Sequence, residues 1–318
     1  MSRWRTIFPT RGLHGMRAIR IDGFGGFDRL RVEDVSEPRL GIGDVLVRTI
    51  ASAINPVDDK TRRGGIAGAM PAPPMVLGWD VAGVVLDPGA AMDDLRVGDR
   101  VFAMVPQLAT GHGTWADLIA IPAHQVARAP EGTSLVEAAT LPLPGLTAWQ
   151  ALAGLELRSG QRLLVAGGTG AVGGIAVQLA RHVGVEVHAL VSRPAQVAAV
   201  RALGAEQAFD DPAALEPGTY DAVFDTFGAP VLDAIADGGR YTSVATEAGP
   251  VPDLSHRKVR TTLHQVSPDA GALAEIARLV DAGALRARVH AAFPLHRVRE
   301  AHEHFARGGL TGKIALTF

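Results

Sequence analysis

The spacing of apolar positions changes near residue 142 and divides the chain into two parts. Before it, short apolar or alternating segments follow one another between turn residues, with strands predicted at 18–21, 45–50, 83–86 and 99–104. Short strands at close spacing predict a curled or closed β domain. After residue 142, strands alternate with helical segments of about 10 to 15 residues, a pattern that predicts βαβ units and a parallel sheet.

The second part contains six predicted strands, after which the chain returns to the first part. The six strands are 163–165, 185–191, 207–209, 222–225, 239–244 and 261–266, followed by a helix at 271–281. The tail then has a strand at 289–293, a helix at 298–307 and a strand at 313–318. The predicted division is a leader at 1–15, a mostly β domain at 16–141, an α/β domain at 142–266 and a C-terminal segment at 267–318.

The most informative segment of the α/β domain is a glycine-rich turn between a predicted strand and a predicted helix. Residues 163–180 read LLVAGGTGAVGGIAVQLA, in which Gly168, Gly170 and Gly173 have the spacing of the dinucleotide fingerprint. Glycines there allow a tight turn, close approach of a pyrophosphate and packing of the helix on the strand. The predicted cofactor contacts are Gly168, Thr169, Gly170, Ala171, Val172 and Gly173. The alternative is a structural turn without a ligand.

The end of the next strand indicates which dinucleotide binds. An NAD site places a carboxylate about 20 residues after the glycines, where it binds the ribose 2′-hydroxyl. Here the strand at 185–191 ends in Ser192 and Arg193, and Glu186 lies at its start. A hydroxyl beside a guanidinium suits a 2′-phosphate, so NADPH is the predicted cofactor. The alternative is that Arg193 is a solvated loop charge.

Composition narrows the class of protein. The chain has 318 residues, 47% of them hydrophobic and 20% charged, with a net charge of −2 and no cysteine. This length fits two domains, and the charge gives no reason to expect nucleic acid or a membrane surface as a partner. No apolar run reaches the ~18 residues of a membrane span. We therefore expect a cytoplasmic protein without disulfides, whose leader at 1–15 is disordered.

Several further motifs occur in the order of a known superfamily. They are INPVD at 54–58, VLGWDVAGVV at 76–85, VGDRVF at 97–102, AATLP at 138–142, GLTAW at 145–149, VFDTFG at 223–228 and GKI at 312–314. Over residues 16–318 the chain resembles the zinc-independent quinone oxidoreductase and enone reductase branch of the medium-chain dehydrogenase/reductase superfamily. The resemblance implies a GroES-like, mostly β catalytic domain, a Rossmann domain with a doubly wound parallel sheet, and a C-terminal segment that returns to the catalytic domain.

The resemblance also bears on metal binding. Zinc enzymes of the superfamily hold their metal with a cysteine, the histidine of a Gly-His-Glu motif and a further cysteine or acid. This chain has Gly78-Trp79-Asp80 at that motif and no cysteine, so we expect no metal site. Hydride transfer without a metal suits quinones and conjugated C=C bonds, whose own carbonyl accepts the charge. Tyr220 and Tyr241, the two tyrosines, lie in the nucleotide domain and cannot serve as a proton donor in the substrate domain.

The segment after the second strand supplies the catalytic candidates Asn55, Asp58 and Lys60, in a polar loop beside a proline. By resemblance, Asn55 lies near the nicotinamide ribose and the substrate carbonyl, and Lys60 donates to an oxygen of the cofactor or substrate. The alternatives are an Asx turn at Asn55, a loop-bracing carboxylate at Asp58 and a solvated charge at Lys60. An apolar pocket is predicted from Met75, Trp79, Phe102 and Met104, with core packing as the alternative.

Further cofactor contacts are predicted at strand ends and by resemblance. By position after the strands 222–225 and 239–244, they are Thr226, Gly228, Ala245 and Thr246. By resemblance, they are Thr147, which touches the nicotinamide end, and Lys313, which lies near the cofactor. The alternatives are a helix-start hydroxyl at Thr147 and a surface charge at Lys313.

The leading hypothesis is an NADPH-dependent reductase of quinones or α,β-unsaturated carbonyls, with the proton supplied by solvent or a weak donor. Two alternatives stay open: an NADPH-binding sensor or interaction protein without significant turnover, and an enoyl-thioester reductase. The strand at 261–266 offers an edge for pairing with a second copy, as in the family, so we expect a homodimer.

Overall fold

Three β-sheets organise the chain in the computed structural model, which describes residues 15–66, 70–89, 94–245 and 249–318. The first part contains β1 (Met16–Ile21), β2 (Arg31–Val35), β3 (Asp44–Ala53), α1 (Pro56–Arg63), β4 (Met75–Val76), β5 (Asp80–Asp87), β6 (Arg100–Met104), α2 (Gln107–Thr110), β7 (Leu118–Pro122), β8 (Val126–Arg128) and α3 (Leu135–Ala138). The second part contains α4 (Pro142–Leu155), β9 (Arg162–Ala166), α5 (Ala171–His182), β10 (Glu186–Leu190), α6 (Val197–Ala202), β11 (Gln207–Phe209), β12 (Tyr220–Asp225), β13 (Ile235–Ser243), β14 (Arg260–Leu263) and α7 (Ala270–Asp281). The tail contains β15 (Val289–Pro294), α8 (Val298–Ala306) and β16 (Lys313–Thr317). Within these ranges, no helix is long and apolar enough to cross a membrane.

The second part forms a six-stranded sheet in the order β11-β10-β9-β12-β13-β14. Every neighbouring pair in it is parallel. Counted from β9, this is the 3-2-1-4-5-6 order of a doubly wound Rossmann sheet, so the predicted fold class is confirmed. The strand order reverses between β9 and β12. In such sheets ligands bind outside the carboxyl ends of the strands at this point.

The first part and the tail share one sheet of seven strands. Its order is β15-β16-β3-β5-β6-β8, and β7 pairs with β3 as well. β16 runs antiparallel to β3, with Ala315 opposite Ala53. The last strand of the chain therefore lies beside the segment that leads into α1. A smaller sheet has three strands in the order β2-β1-β4.

The segment that the sequence predicts as a polar loop after β3 is the helix α1. Asn55 precedes it with extended backbone, and its N–H donates to Asp58 Oδ2 at 2.8 Å. Pro56 occupies the first helical position, where no N–H is needed. Gly64 ends the helix with a φ of 75°. The apolar pattern misses α1 because capping residues define it, whereas few of its residues are apolar.

The apolar pattern also does not predict β2, β4, β7 and β8. β2 has no buried residue, so it carries no alternating signal. β4 and β8 have only two and three residues, too few to establish a period. These strands exist because longer neighbours in the sheets pair with them.

The predicted apolar pocket is wrong, because its four residues are core. Trp79, Phe102 and Met104 belong to one apolar cluster with Leu146 of α4 and Leu163 of β9. Met75 packs in a separate cluster beneath β1 and α8. The cluster with Trp79 runs across the junction of the two parts, so burial of apolar surface holds the two parts together.

Candidate active site

A cavity of about 510 Å³ opens at the carboxyl ends of β9 and β12, between the two parts of the chain. Its volume is typical of small-molecule and cofactor pockets. The first part and β16 contribute Ile54, Asn55, Pro56, Gly312, Lys313 and Ile314. The Rossmann side contributes Leu143, Pro144, Gly167, Thr169, Gly170, Ala171, Val172, Ser192, Gln196, Thr226 and Phe227. The tail adds Phe305, Gly308, Gly309 and Leu310.

The tight turn between β9 and α5 is made at Gly167, one residue before the predicted position. Gly167 has a φ of 84°, and a Cβ there would lie 2.2 Å from Thr226 Oγ1, so the position requires glycine. Gly170 is the N-cap of α5. The first turn of α5 therefore begins at the cavity, where Ala171 and Val172 line it and where helix N–H groups have no partner in the helix.

Gly168 and Gly173 pack the turn from behind. A Cβ at Gly173 would lie 2.2 Å from Gly167 O, and one at Gly168 would lie 2.8 Å from Ala189 Cβ. Because Gly168 and Gly173 have no side chains, α5 can lie close to the sheet. Neither is among the described residues that line the cavity, so their predicted contact with the cofactor stays a prediction.

Asp225 shapes the cavity wall that follows β12. This buried carboxylate accepts three backbone hydrogen bonds through Oδ1, from the N–H groups at 227–229, at 2.9 to 3.2 Å. The turn this creates brings Thr226 and Phe227 to the cavity. Thr226 Oγ1 donates to Ala166 O at 2.7 Å, which joins the wall to the end of β9.

The predicted 2′-phosphate site lies at the other end of the cavity, and Arg193 of that site is not among the described residues that line the cavity. Ser192 lines it, and its hydroxyl donates to Gln196 Oε1 at 3.1 Å. Arg193 is exposed, and its side chain extends to Gly309 in the tail, where an added Cβ would lie 2.5 Å from Arg193 Nη1. Glu186 lies at the amino end of β10, where it pairs with Arg162 Nε at 2.8 Å. The carboxyl end of β10 thus presents a guanidinium and a hydroxyl.

A buried polar network around Lys313, which is only 5% exposed, lies at the end of the cavity where the catalytic residue Asn55 is predicted. This end is called the catalytic end below. Lys313 Nζ donates to Ile54 O at 2.8 Å and to Asn55 Oδ1, and lies 3.2 Å from Asp80 Oδ2. Asn55 Nδ2 donates to the same Asp80 oxygen at 2.8 Å. Leu143 N donates to Asp80 Oδ1 at 2.6 Å. The alternative that Lys313 is a surface charge is therefore wrong. The network also assigns the Asn55 amide, because Oδ1 accepts from Lys313 and Nδ2 donates to Asp80.

Asp58 lies behind this network rather than in the cavity. It is fully buried, accepts from Asn55 N through Oδ2, and its Oδ1 has no hydrogen-bond partner among the described residues. Burial raises the pKa of Asp58 to about 7, although the Asn55 N–H and the charge of Lys313 oppose the shift. Asp58 therefore braces the start of α1, which agrees with the alternative role predicted for it.

Several predicted residues are not among the described residues that line the main cavity. Thr147 is buried inside α4, where Oγ1 donates to Leu143 O at 2.6 Å. Gly228 and Ala245 line a second cavity of about 220 Å³. Thr246 lies outside the described residues. Lys60 is partly buried on α1 and is not among the described residues that line the main cavity, so its catalytic role stays a prediction.

Sequence reasoning missed Asp80 as a site residue. The signal was present, because Asp80 is the one charged residue in the apolar run at 76–85. A carboxylate at the start of a buried strand needs a partner, and Lys313 and Asn55 are those partners. Asn55 and Lys313 are 258 residues apart in the sequence, so the sequence does not indicate that they are in contact.

Comparison with known proteins gives the family. The chain matches "Alcohol dehydrogenase GroES-like domain" over residues 41–131 and "Zinc-binding dehydrogenase" over residues 196–316. The NADPH-dependent alkenal/one oxidoreductase, chloroplastic, of Arabidopsis thaliana is 32% identical over 314 residues, covering 95% of this chain and 79% of that protein. The 2-methylene-furan-3-one reductase of Solanum lycopersicum is 30% identical over 310 residues, again covering 95% and 79%.

A solved structure agrees with these relatives. The quinone oxidoreductase from Coxiella burnetii has a TM-score of 0.84 and 27% identity, covering 95% of this chain and 99% of its own. The chain therefore belongs to the medium-chain dehydrogenase/reductase superfamily, as its motifs predict.

The residues of the catalytic end do not fit the zinc that the name of the family matched over residues 196–316 implies. Lys313 places an ammonium group against Asn55 and Asp80, so a metal ion there would meet a cation at hydrogen-bond distance. Trp79 offers only an N–H donor, and that atom is buried. Among the described residues, no three His, Asp or Glu side chains form a group that could hold a metal.

The cleft does fit a dinucleotide. Glycines form the turn without side chains, the first turn of α5 opens onto the cavity, and the cavity extends from Ser192 to Lys313. Backbone N–H groups and a helix dipole bind phosphate groups at such a position.

Replacing Asp58 by asparagine is expected to flatten the dependence of stability on pH. The unfolded chain releases this proton near pH 4 and the folded protein near pH 7. The contribution of Asp58 is therefore fully present below about pH 4 and is lost as the pH rises through about 7. Between these values it lowers the free energy of unfolding by up to ~1.4 kcal/mol per pH unit.

The measurement is urea unfolding at a series of pH values for wild type and Asp58→Asn. The asparagine has no proton to lose, and its amide nitrogen takes the place of the unpartnered Oδ1. Equal slopes for the two proteins across this range would show that Asp58 does not titrate there.

Proposed function

We propose that this protein reduces α,β-unsaturated carbonyl compounds and quinones with NADPH, without a metal. One observation carries the proposal: a buried Lys313–Asn55–Asp80 network lies in the same cleft as the phosphate-binding turn of a Rossmann domain. The printed names of the relatives, an alkenal/one oxidoreductase, a furanone reductase and a quinone oxidoreductase, describe this chemistry.

The Rossmann side of the cleft is suited to bind and orient the cofactor. The first turn of α5 would receive the pyrophosphate, and Ser192 of the cavity wall with the neighbouring Arg193 would receive the 2′-phosphate. Thr226 and Phe227 form the wall between these positions and the catalytic end. When bound, NADPH supplies the hydride to the conjugated acceptor.

At the catalytic end, Asn55 and Lys313 would stabilise charge on the acceptor oxygen. One N–H of the Asn55 amide is held by Asp80, which leaves the second for an oxygen in the cavity. Lys313 adds a positive charge in contact with the carbonyl end of the same amide. In a buried site such preorganised donors are worth more than in water.

The expected substrates follow from the lining of the cavity, because no tyrosine, histidine or carboxylic acid is among the described residues that line it. Tyr220 contacts His188 at 3.0 Å and Tyr241 donates to Asp225 at 2.8 Å, so both are bound within the nucleotide domain. Burial also raises the pKa of Tyr220 to about 12. Conjugated acceptors spread the incoming charge onto their own oxygen, so they take the hydride without a metal or tyrosine, and solvent or a weak donor supplies the proton.

A homodimer belongs to the same proposal. β14 is the last strand of the parallel sheet in the described residues, and it pairs only with β13 there. Its Leu263 is 40% exposed. Such an edge suits pairing with a second copy. The cytoplasmic location likewise remains a prediction.

The proposed activity is tested by NADPH oxidation with a panel of acceptors. We expect oxidation with 2-alkenals, enones or simple quinones, and little with saturated ketones, because saturated ketones cannot delocalise the charge. Tight NADPH binding without turnover on any acceptor would favour the sensor alternative. Turnover confined to enoyl thioesters would favour the enoyl-thioester reductase.

Replacing Arg193 by alanine is expected to weaken NADPH binding by about tenfold or more and to leave NADH binding unchanged, because it removes a charge-assisted contact to the 2′-phosphate. Fluorescence titration with both cofactors measures the change. Arg201→Ala, an exposed arginine on α6, is the control and should alter neither affinity. Equal losses for NADPH and NADH would contradict the assignment.

A further inference from the structure

Arg288 lies behind the phosphate-binding turn, where neither the sequence motifs nor the proposed chemistry uses it. Its Nη1 donates to Thr169 O at 3.0 Å, and its Nη2 donates to Gly170 O at 2.6 Å. Nη1 also donates to Thr311 O in the tail at 3.2 Å. Burial lowers the pKa of the guanidinium to about 10, which leaves it charged at neutral pH.

The chain makes room for this guanidinium at Gly174. A Cβ at Gly174 would lie 1.9 Å from Arg288 Nη2 and 2.5 Å from Cζ. Any larger residue would have to displace the guanidinium. Gly174 is not part of the dinucleotide fingerprint. A glycine is needed there because the Arg288 guanidinium occupies the space that a side chain would fill.

The two carbonyls that Arg288 holds belong to peptide groups of the phosphate-binding turn: the N–H of one lies at the cavity, and the N–H of the other closes the turn. Gly170 O shares a planar peptide group with the N–H of Ala171, which lines the cavity at the first turn of α5. Thr169 O shares one with Gly170 N–H, which closes the turn onto Gly167 O at 2.9 Å. A donor on a carbonyl polarises its peptide group and strengthens the N–H at the opposite end.

Arg288 also connects this turn to the catalytic end. Its backbone carbonyl accepts from Lys313 N at 2.9 Å, and Lys313 carries the network with Asn55. Its side chain reaches Thr311, next to residues 308–310 that form the opposite wall of the cleft. One residue therefore contacts the phosphate turn, the tail and the neighbour of Asn55.

We propose that Arg288 is a positioning residue for the pyrophosphate of the cofactor, which it serves by holding the turn at 167–171 and the tail at 308–313 in one arrangement. It does not touch the cofactor itself, and it acts through backbone groups. This inference rests on the proposed function, because it assumes that NADPH binds in this cleft.

The test compares two ligands by fluorescence or calorimetric titration without any acceptor. NADPH has a pyrophosphate, whereas adenosine 2′-monophosphate has only the 2′-phosphate end. We expect Arg288→Met to weaken NADPH binding by about tenfold and to change adenosine 2′-monophosphate binding by less than about twofold. Arg193→Ala should weaken both ligands, which makes it the matched control. Arg288→Lys keeps the charge but not the fork, and should give an intermediate loss.

Gly174→Ala provides an independent route to the same change. Because its methyl group displaces an unaltered Arg288, it should weaken NADPH about as much as Arg288→Met does. The double variant Gly174→Ala/Arg288→Met should be no weaker than Arg288→Met alone, since the clash is gone. Folding of each variant is followed by thermal unfolding, and Arg288→Lys keeps the test open if the methionine variant does not fold.

The results that would overturn the role of Arg288 differ from the result that would overturn the proposed function. Unchanged NADPH affinity in both Arg288 variants, equal losses for the two ligands, or additive losses in the double variant would each overturn the role of Arg288. A wild-type chain that does not bind NADPH would overturn the proposed function as well.

Discussion

The contact between Lys313, Asn55 and Asp80 is the constraint on which the rest of the site depends. It joins the start of α1, the start of β5 and the start of β16, and Leu143 of α4 adds a fourth segment through Asp80. Buried charges are costly unless each is paired and hydrogen-bonded. The four segments must therefore come together correctly, and the cleft between the two parts forms where they meet.

This network also decides the kind of chemistry that the cleft can support. The family matched over residues 196–316 takes its name from zinc, whereas here the positive charge is the ammonium group of Lys313, which is paired with Asp80. The Lys313 ammonium group has three acceptors around it, Ile54 O, Asn55 Oδ1 and Asp80 Oδ2, so it can act on a developing negative charge by its field. It has no open coordination position for a substrate oxygen. Such a site suits acceptors that disperse the charge themselves, which is why we assign conjugated carbonyls and quinones.

The Rossmann side could be predicted almost entirely from the sequence. The central strands β9, β10 and β12 are mostly buried, and the glycines lie between a strand and a helix. Each of these signals lies within a short segment of the sequence. The predicted position of the tight turn is wrong by one residue. The fingerprint spacing begins at Gly168, whereas Gly167 has the positive φ.

The catalytic end could be predicted only in part, because long-range pairing forms it. Asn55 and Lys313 could be named by resemblance, but nothing in the sequence joins them to each other or to Asp80. Helix α1 was mistaken for a loop because it depends on capping at Asn55 and Gly64. The aromatic and methionine residues near Trp79 were mistaken for a pocket because apolar residues of a core and of a binding site look alike in a sequence.

The coupling between Lys313 and Asp80 is tested most directly by a double-mutant cycle on the free energy of unfolding with Lys313→Met and Asp80→Asn. Each single change leaves a buried group without its partner, and we expect each to cost about 3 kcal/mol or more. The double variant removes both charges, so its cost should fall short of the sum of the two by about 2 kcal/mol or more. Costs that simply add would show that Lys313 and Asp80 are not coupled, and would contradict a catalytic end that depends on their pairing.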